Sequence, residues 1–199
     1  LFFNAPTLHI DIDGEVLDEF IPPNVTGIGS VDFSKDVSFM VVNVTQPHKT
    51  RQDWTSSRID IWDLEKNVLF SQLESDLMGA CSQFAFSNNA QQMISACYPS
   101  GFGSTKLFYW DITDQSLLWT SYESYFTSDP FSHDDAHIAT STKHPNWPSY
   151  TQTQTVIRRT SNGAEVGRVP GKNANNPFSA DDDYIVTTSF EQIRCKNEI

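Results

Sequence analysis

Residues 58–97 read RIDIWDLEKNVLFSQLESDLMGACSQFAFSNNAQQMISAC, and this stretch decides the fold. Ile59 and Ile61 alternate with Asp60 before Trp62 and Asp63 close a first apolar segment. A polar turn, Asp63 to Asn67, separates it from a second segment, Val68–Leu73. Cys81–Phe86 follows and ends at Ser87, Asn88 and Asn89; Met93–Cys97 is the fourth. Period-two alternation in short segments, punctuated by Asp, Asn and Ser, predicts antiparallel strands joined by hairpins. No helical stripe of useful length competes with it.

Outward from this stretch the chain repeats itself. A segment ending in Phe-Ser, then an Asp/Asn turn, then a strand of β-branched or small residues occurs as VDFSKDVSFMVV, FAFSNNAQQMISAC, DPFSHDDAHIATST and NPFSADDDYIVTTS. The phenylalanines are Phe33, Phe86, Phe131 and Phe178, spaced by 53, 45 and 47 residues. A second element interleaves: RIDIWDLEKNVLFSQ and KLFYWDITDQSLLWT place Trp62-Asp63 and Trp110-Asp111 48 residues apart, with weaker copies at Val156–Val169 and Thr7–Ile21. A period of about 40 to 50 residues holding four short strands is that of a β-propeller blade.

With the strands of a blade labelled a to d, residues 7–21 supply c and d, and 29–73, 81–121 and 129–169 each supply a full set. Residues 176–195 give a, b and the start of c at Gln192–Cys195. The expectation is one all-β propeller over 1–199, about four blades' worth of four-stranded antiparallel sheet. A fragment of a longer array is the leading account and a closed four-blade ring the alternative. A lone blade has two apolar faces and buries both only by stacking on neighbours. The four phenylalanines are therefore expected between blades, the Asp and Asn residues on their own turns, and Trp62 and Trp110 in the core.

Thirteen basic against 25 acidic residues give a net charge of -12. Such a surface repels nucleic acid and anionic membrane, so neither is expected as a partner. No run reaches 18 apolar residues. Cys81, Cys97 and Cys195 are an odd set, a poor disulfide framework. Cys81 and Cys97 are read as small core hydrophobes, with a bridge between them left open. A reducing, cytoplasmic setting is the expectation, with nuclear and secreted settings left open.

IDIWDL at 59–64, LFYWDI at 107–112 and the fourfold Phe-Ser turn resemble WD-repeat propellers, or a divergent member of the wider propeller group that includes quinoprotein-like folds. The sequence departs from that family in lacking a Gly-His pair before strand a and in carrying Arg158-Arg159-Thr160 near the Trp-Asp position of the third copy. The resemblance implies a scaffold that organises protein complexes.

Catalytic chemistry is not apparent in the sequence. His133, Asp135 and His137 have a metal flavour but coincide with an a–b turn, and no metal or cofactor is expected. Asp60, Asp63, Asp111 and Asp114 show no sign of a paired acid and base. There is no G-x-S-x-G, C-x-x-C or Gly-rich phosphate loop. Of two sequons, Asn24-Val-Thr and Asn43-Val-Thr, the second falls on or beside a strand. The long b–c connections, 46–57, 98–105 and 143–155, are more informative. They carry Trp54, Phe102, Trp147 and Tyr150 beside His48, Lys49, Arg51, Lys143 and His144. Aromatics in a polar setting suit a protein or peptide partner, and the local positive charge suits an acidic one. Missing blades of the same protein are a further expected partner. The favoured function is non-catalytic protein binding; the alternative is a hydrolase or oxidoreductase with its site at the propeller centre.

Overall fold

A computed structural model describes residues 7–10, 16–20, 27–47, 55–75, 78–98, 105–122, 125–143 and 153–188. The regular elements among them are all strands: β1 (Thr7–Ile10), β2 (Val16–Phe20), β3 (Gly27–Phe33), β4 (Phe39–Pro47), β5 (Thr55–Asp63), β6 (Val68–Glu74), β7 (Cys81–Phe86), β8 (Gln92–Cys97), β9 (Lys106–Asp111), β10 (Ser116–Ser121), β11 (His137–Lys143), β12 (Thr153–Arg159), β13 (Glu165–Pro170), β14 (Lys172–Phe178) and β15 (Ile185–Thr188). All pair antiparallel with sequence neighbours. The sheets are β1-β2, β3-β4-β5-β6, β7-β8-β9-β10, β11-β12-β13 and β14-β15. This is the strand content of an incomplete four-blade propeller. Two compact units hold it, Leu1–Tyr122 and Glu123–Ile199.

The Phe-Ser turn has the same geometry four times. Phe33, Phe86, Phe131 and Phe178 pair with Met40, Met93, Ile138 and Ile185, each seven residues on. The serine hydroxyl accepts from the N–H of the residue five further on, Phe39, Gln92, His137 or Tyr184. The same hydroxyl donates to Asp36, Asn89, Asp134 or Asp181. The following residue takes a left-handed conformation: Val37, Ala90, Asp135 and Asp182 have φ of 58°, 55°, 58° and 59°. A β-branched side chain is costly there, so the side-chain hydrogen bonds, and not the residue at the bend, impose the turn. The c–d turns repeat too, with Asn67, Gln115 and Gly163 left-handed. Asp63 and Asp111 cap the N–H groups of Lys66, Thr113 and Asp114. In the third copy Asn162 performs that task for Ala164.

In the first unit one apolar layer joins neighbouring blades. Val41, Ile59, Ile61 and Leu73 meet Phe84, Phe86, Met93, Phe108 and Trp110, all buried. Phe39 stacks on Phe86 at 6.5 Å between ring centres. Trp110 donates through Nε1 to Ser95 at 3.1 Å, tying strand c to strand b. The register puts Val42 where Ser95 stands, so this bond has no counterpart in the sheet β3–β6. Arg158 occupies the Trp position of the third copy and Arg159 the Asp position; Arg158 is half-buried and donates to the Gly163 carbonyl, while Arg159 is exposed.

Four expectations are corrected. Phe86, Phe131 and Phe178 are buried, but Phe33 is 46% exposed. Residues 129–169 do not hold four strands. The first is reduced to two bridges, Tyr125 to Ser141 and Phe131 to Ile138, because Pro130 brings no N–H to a ladder. Cys81 and Cys97 are not free thiols. They face each other across β7 and β8 with Cα atoms 3.9 Å apart and form a disulfide. The last strand pair begins at Lys172, ahead of the expected 176; Gln192–Cys195 lies outside the described residues.

Candidate partner-binding face

Trp54, Phe102, Trp147 and Tyr150 lie outside the described residues, as do His48, Lys49, Arg51 and His144. The ladders that carry their loops are described. β4 and β5 pair from Phe39–Asp63 to Pro47–Thr55. β8 and β9 run from Gln92–Asp111 to Cys97–Lys106. β11 and β12 run from His137–Arg159 to Lys143–Thr153. Each loop leaves its sheet at the end away from the Phe-Ser turn, so the two ends of every blade differ in chemistry.

At the loop end of β5, Arg58 clasps Asp60 through two hydrogen bonds of 2.6 and 2.7 Å, and Gln72 adds a third at 3.2 Å. Both charged side chains are buried. Hydrogen bonding to Asp60 raises the Arg58 pKa against the cost of burial, so the guanidinium stays charged. The equivalent of Arg58 in the next sheet is Lys106, buried, with Nζ 5.5 Å from the Phe108 ring centre and 5.1 Å from that of Tyr122. A cation against two rings is attracted to their faces. Tyr98 and Tyr122, both exposed, flank this root. The disulfide closes the base of the same loop, since Cys97 pairs with Lys106 on its other side. In the second unit Lys172 lies 5.0 Å over the Tyr125 ring.

The sequence places Tyr98 at the start of the 98–105 connection, but neither it nor Tyr122 is among the expected binding residues. Their signal was available: each is a tyrosine directly after a predicted strand. The Arg58–Asp60 pair had no such signal, because residues two apart on a strand interact only if the sheet packing around them excludes water.

At the turn end the carboxylates are engaged by side-chain donors and by backbone N–H groups of the turns. Ser34 and Ser38 hold Asp36 at about 2. Lys66 lowers Asp63, Ser132 lowers Asp134 and Ser179 lowers Asp181. Asp182 is also held low; burial opposes its charge, but it accepts from the N–H groups of His133 and Asp134 and lies 3.0 Å from the His133 ring. His133 thus meets Asp182, and Asp135 forms the bend. Among the described residues no group of three or more His, Cys, Asp or Glu is placed to hold a metal. Asn43 is buried and donates to the Cys81 carbonyl at 3.0 Å, so the described sequon is closed to a glycan in this fold.

Among solved structures the chain is similar to a eukaryotic initiation factor, with 15% identity, 82% of this chain and 36% of that one covered, and a TM-score of 0.53. It is similar to Kuenenia stuttgartiensis hydrazine synthase at 16% identity, 84% and 48% coverage and a TM-score of 0.52. The β-propeller domain of the Trilobed protease from Pyrococcus furiosus matches at 11% identity, 72% and 42% coverage and a TM-score of 0.52. The chain therefore spans less than half the length of these structures. At such identities the likeness shows the fold, a β-propeller. No family model matches the chain, and no curated protein matches it.

Proposed function

We propose that this β-propeller is a WD-like, non-catalytic scaffold that presents its b–c loops to a protein or peptide partner. The observation that carries the reading is the division of labour between the two ends of each blade. Turn-end carboxylates are taken up by side-chain and backbone hydrogen bonds of the turns, Asp182 by those of the neighbouring turn. The loop end brings exposed Tyr122 beside Lys106, with exposed Tyr98 at the start of a segment containing Phe102. Large amphipathic rings next to a fixed cation are what protein interfaces favour at their anchoring points. The coincidence of Trp62-Asp63 and Trp110-Asp111 in register, with Trp110 bonded to Ser95, supports the WD-like character. Because disulfides persist in oxidising compartments, the Cys81–Cys97 bond favours such a setting over the cytoplasm.

The test is in-cell cross-linking of the tagged chain with identification of the cross-linked sites. One protein should attach through residues of the b–c loops. Tyr98→Ala, Tyr122→Ala, Trp54→Ala and Trp147→Ala should reduce that attachment while the circular dichroism of the chain is unchanged. Attachment that survives all four substitutions, or that maps to the Phe-Ser turns, rejects the reading.

A further inference from the structure

We propose that Lys106 is the anchoring point for a carboxylate, an Asp or Glu side chain of the protein partner, received at the loop end of β9 beside the Phe108 and Tyr122 rings. This rests on the loop-face reading and names the chemistry of the partner.

Register carries the argument. In the sheet β3–β6, Arg58 stands four residues before Trp62, and Asp60 stands two before it. In the sheet β7–β10, Lys106 stands four residues before Trp110, and Phe108 stands two before it. The ladders agree: Trp62 and Trp110 pair with Met40 and Met93, and Arg58 and Lys106 pair with Val44 and Cys97, each four residues further along the partner strand. Both cations are buried, Arg58 at 8% exposure and Lys106 at 7%. The first is neutralised within its own sheet by two hydrogen bonds to Asp60. The second sheet keeps the cation and has a phenylalanine in place of the acid. The third copy carries Gln154 and Val156 at the two positions, so a cation there is not a requirement of the blade.

An ammonium group carries N–H donors and no acceptor. Nζ of Lys106 lies 5.5 Å from the Phe108 ring centre and 5.1 Å from that of Tyr122. The rings attract the charge, but among the described residues no oxygen atom accepts a hydrogen bond from this Nζ. A charge taken out of water without hydrogen bonds is costly. A carboxylate supplies both the acceptors and the opposite sign, in a setting where little water competes. The Arg58–Asp60 pair is the same chemistry completed inside one sheet. A net charge of -12 repels anions at a distance, so an anion held here must gain contact as well as charge. Tyr122, 70% exposed, offers that contact to the residues flanking an acidic side chain. A free small anion would gain nothing from it, and this favours a carboxylate carried on a polypeptide.

Nuclear magnetic resonance titration of the isotope-labelled chain with the blocked peptide acetyl-Leu-Glu-Leu-amide tests this. The Lys106 side-chain and Tyr122 ring signals should move with the Glu peptide. Acetyl-Leu-Gln-Leu-amide and sodium acetate should bind about tenfold or more weakly. Lys106→Met, which keeps the apolar stem, should weaken the Glu peptide by about the same factor with unchanged circular dichroism, and Lys106→Arg should retain it. Lys106→Gln replaces Lys106→Met if that variant fails to fold. Equal binding of the Glu and Gln peptides, Glu-peptide binding that survives loss of the Lys106 charge, or a response to acetate as strong as that to the peptide overturns the proposal. In-cell cross-linking separates it from the loop-face reading. A partner lost with Tyr98→Ala and Tyr122→Ala but retained with Lys106→Met sinks the carboxylate site alone. Peptide binding at Lys106 with no protein attached through the b–c loops leaves the site standing and rejects the scaffold.

Discussion

Asp60 and Arg58 put two charges beside Met40, Val42 and Val44, which are buried on the same face of the sheet. The pair is satisfied only as a unit, because either charge alone would be left dehydrated. Asp60→Ala should lower unfolding stability by about 3–5 kcal/mol, whereas the joint replacement Arg58→Met with Asp60→Leu should be close to neutral; urea titration of the three proteins separates these outcomes. Asp36 gives a pH prediction of definite sign. Its folded pKa of about 2 lies below its ordinary 3.8. The unfolded chain therefore binds the proton more readily, and the contribution of Asp36 is full above the ordinary value and lost as pH falls through about 2. Asp36→Asn should flatten that part of the acid-unfolding curve without moving stability near neutrality by more than the turn's hydrogen bonds allow.

The disulfide acts at the scale of the strand pair. It joins β7 to β8 across a sequence separation of 16. The Cys81 carbonyl also accepts from Ser30 Oγ and Asn43 Nδ2 of the preceding sheet, each at 3.0 Å. Gly29 leaves room for this, since a Cβ there would come within 2.7 Å of Asn43 Nδ2. A loop of that length corresponds to about 3 kcal/mol of unfolded-state entropy. Cys81→Ala with Cys97→Ala should lower the thermal midpoint accordingly, and loosen amide exchange at Tyr98 and Lys106 more than at the distant Ser87 turn. The bulges of the c–d ladders are also features of the element. Ladders break at Ile61/Trp62, Leu117/Trp119 and Ile157/Arg158, which leaves Phe70, Leu118 and Val166 unpaired in the outer strands and exposed. A bulge in each outer strand interrupts the regular edge that would otherwise template pairing with another chain.

For the molecule as a whole, charge is the property that composition decides without reference to the fold. With a net charge of -12, the chain should show no retention on duplex DNA or on anionic vesicles at low salt, where electrostatic binding is strongest. Binding that weakens with added salt would show a local basic surface that the total charge conceals. The loop end of the blades is where such a surface would lie, around Arg58 and Lys106; both are buried and already engaged, Arg58 with Asp60 and Lys106 with aromatic rings.

The sequence alone determined most of the strands, the four turns and the blade period. Alternation, Ser-x-Asp/Asn capping and β-branched runs act within a few residues, and the turns at Ser34, Ser87, Ser132 and Ser179 repeat one hydrogen-bond pattern as a result. Tertiary structure decided which equivalent residues are equivalent in energy. Phe33 and Phe86 share a motif and a register, yet Phe86 is buried under Phe39 of the neighbouring sheet while Phe33 is exposed. Cys81 and Cys97 became a bond because the β7–β8 register set them opposite each other, and Arg58 with Asp60 became an ion pair because the layer around them excludes water. Burial and cross-strand distance depend on what packs from outside the segment, and no local pattern of residues encodes that.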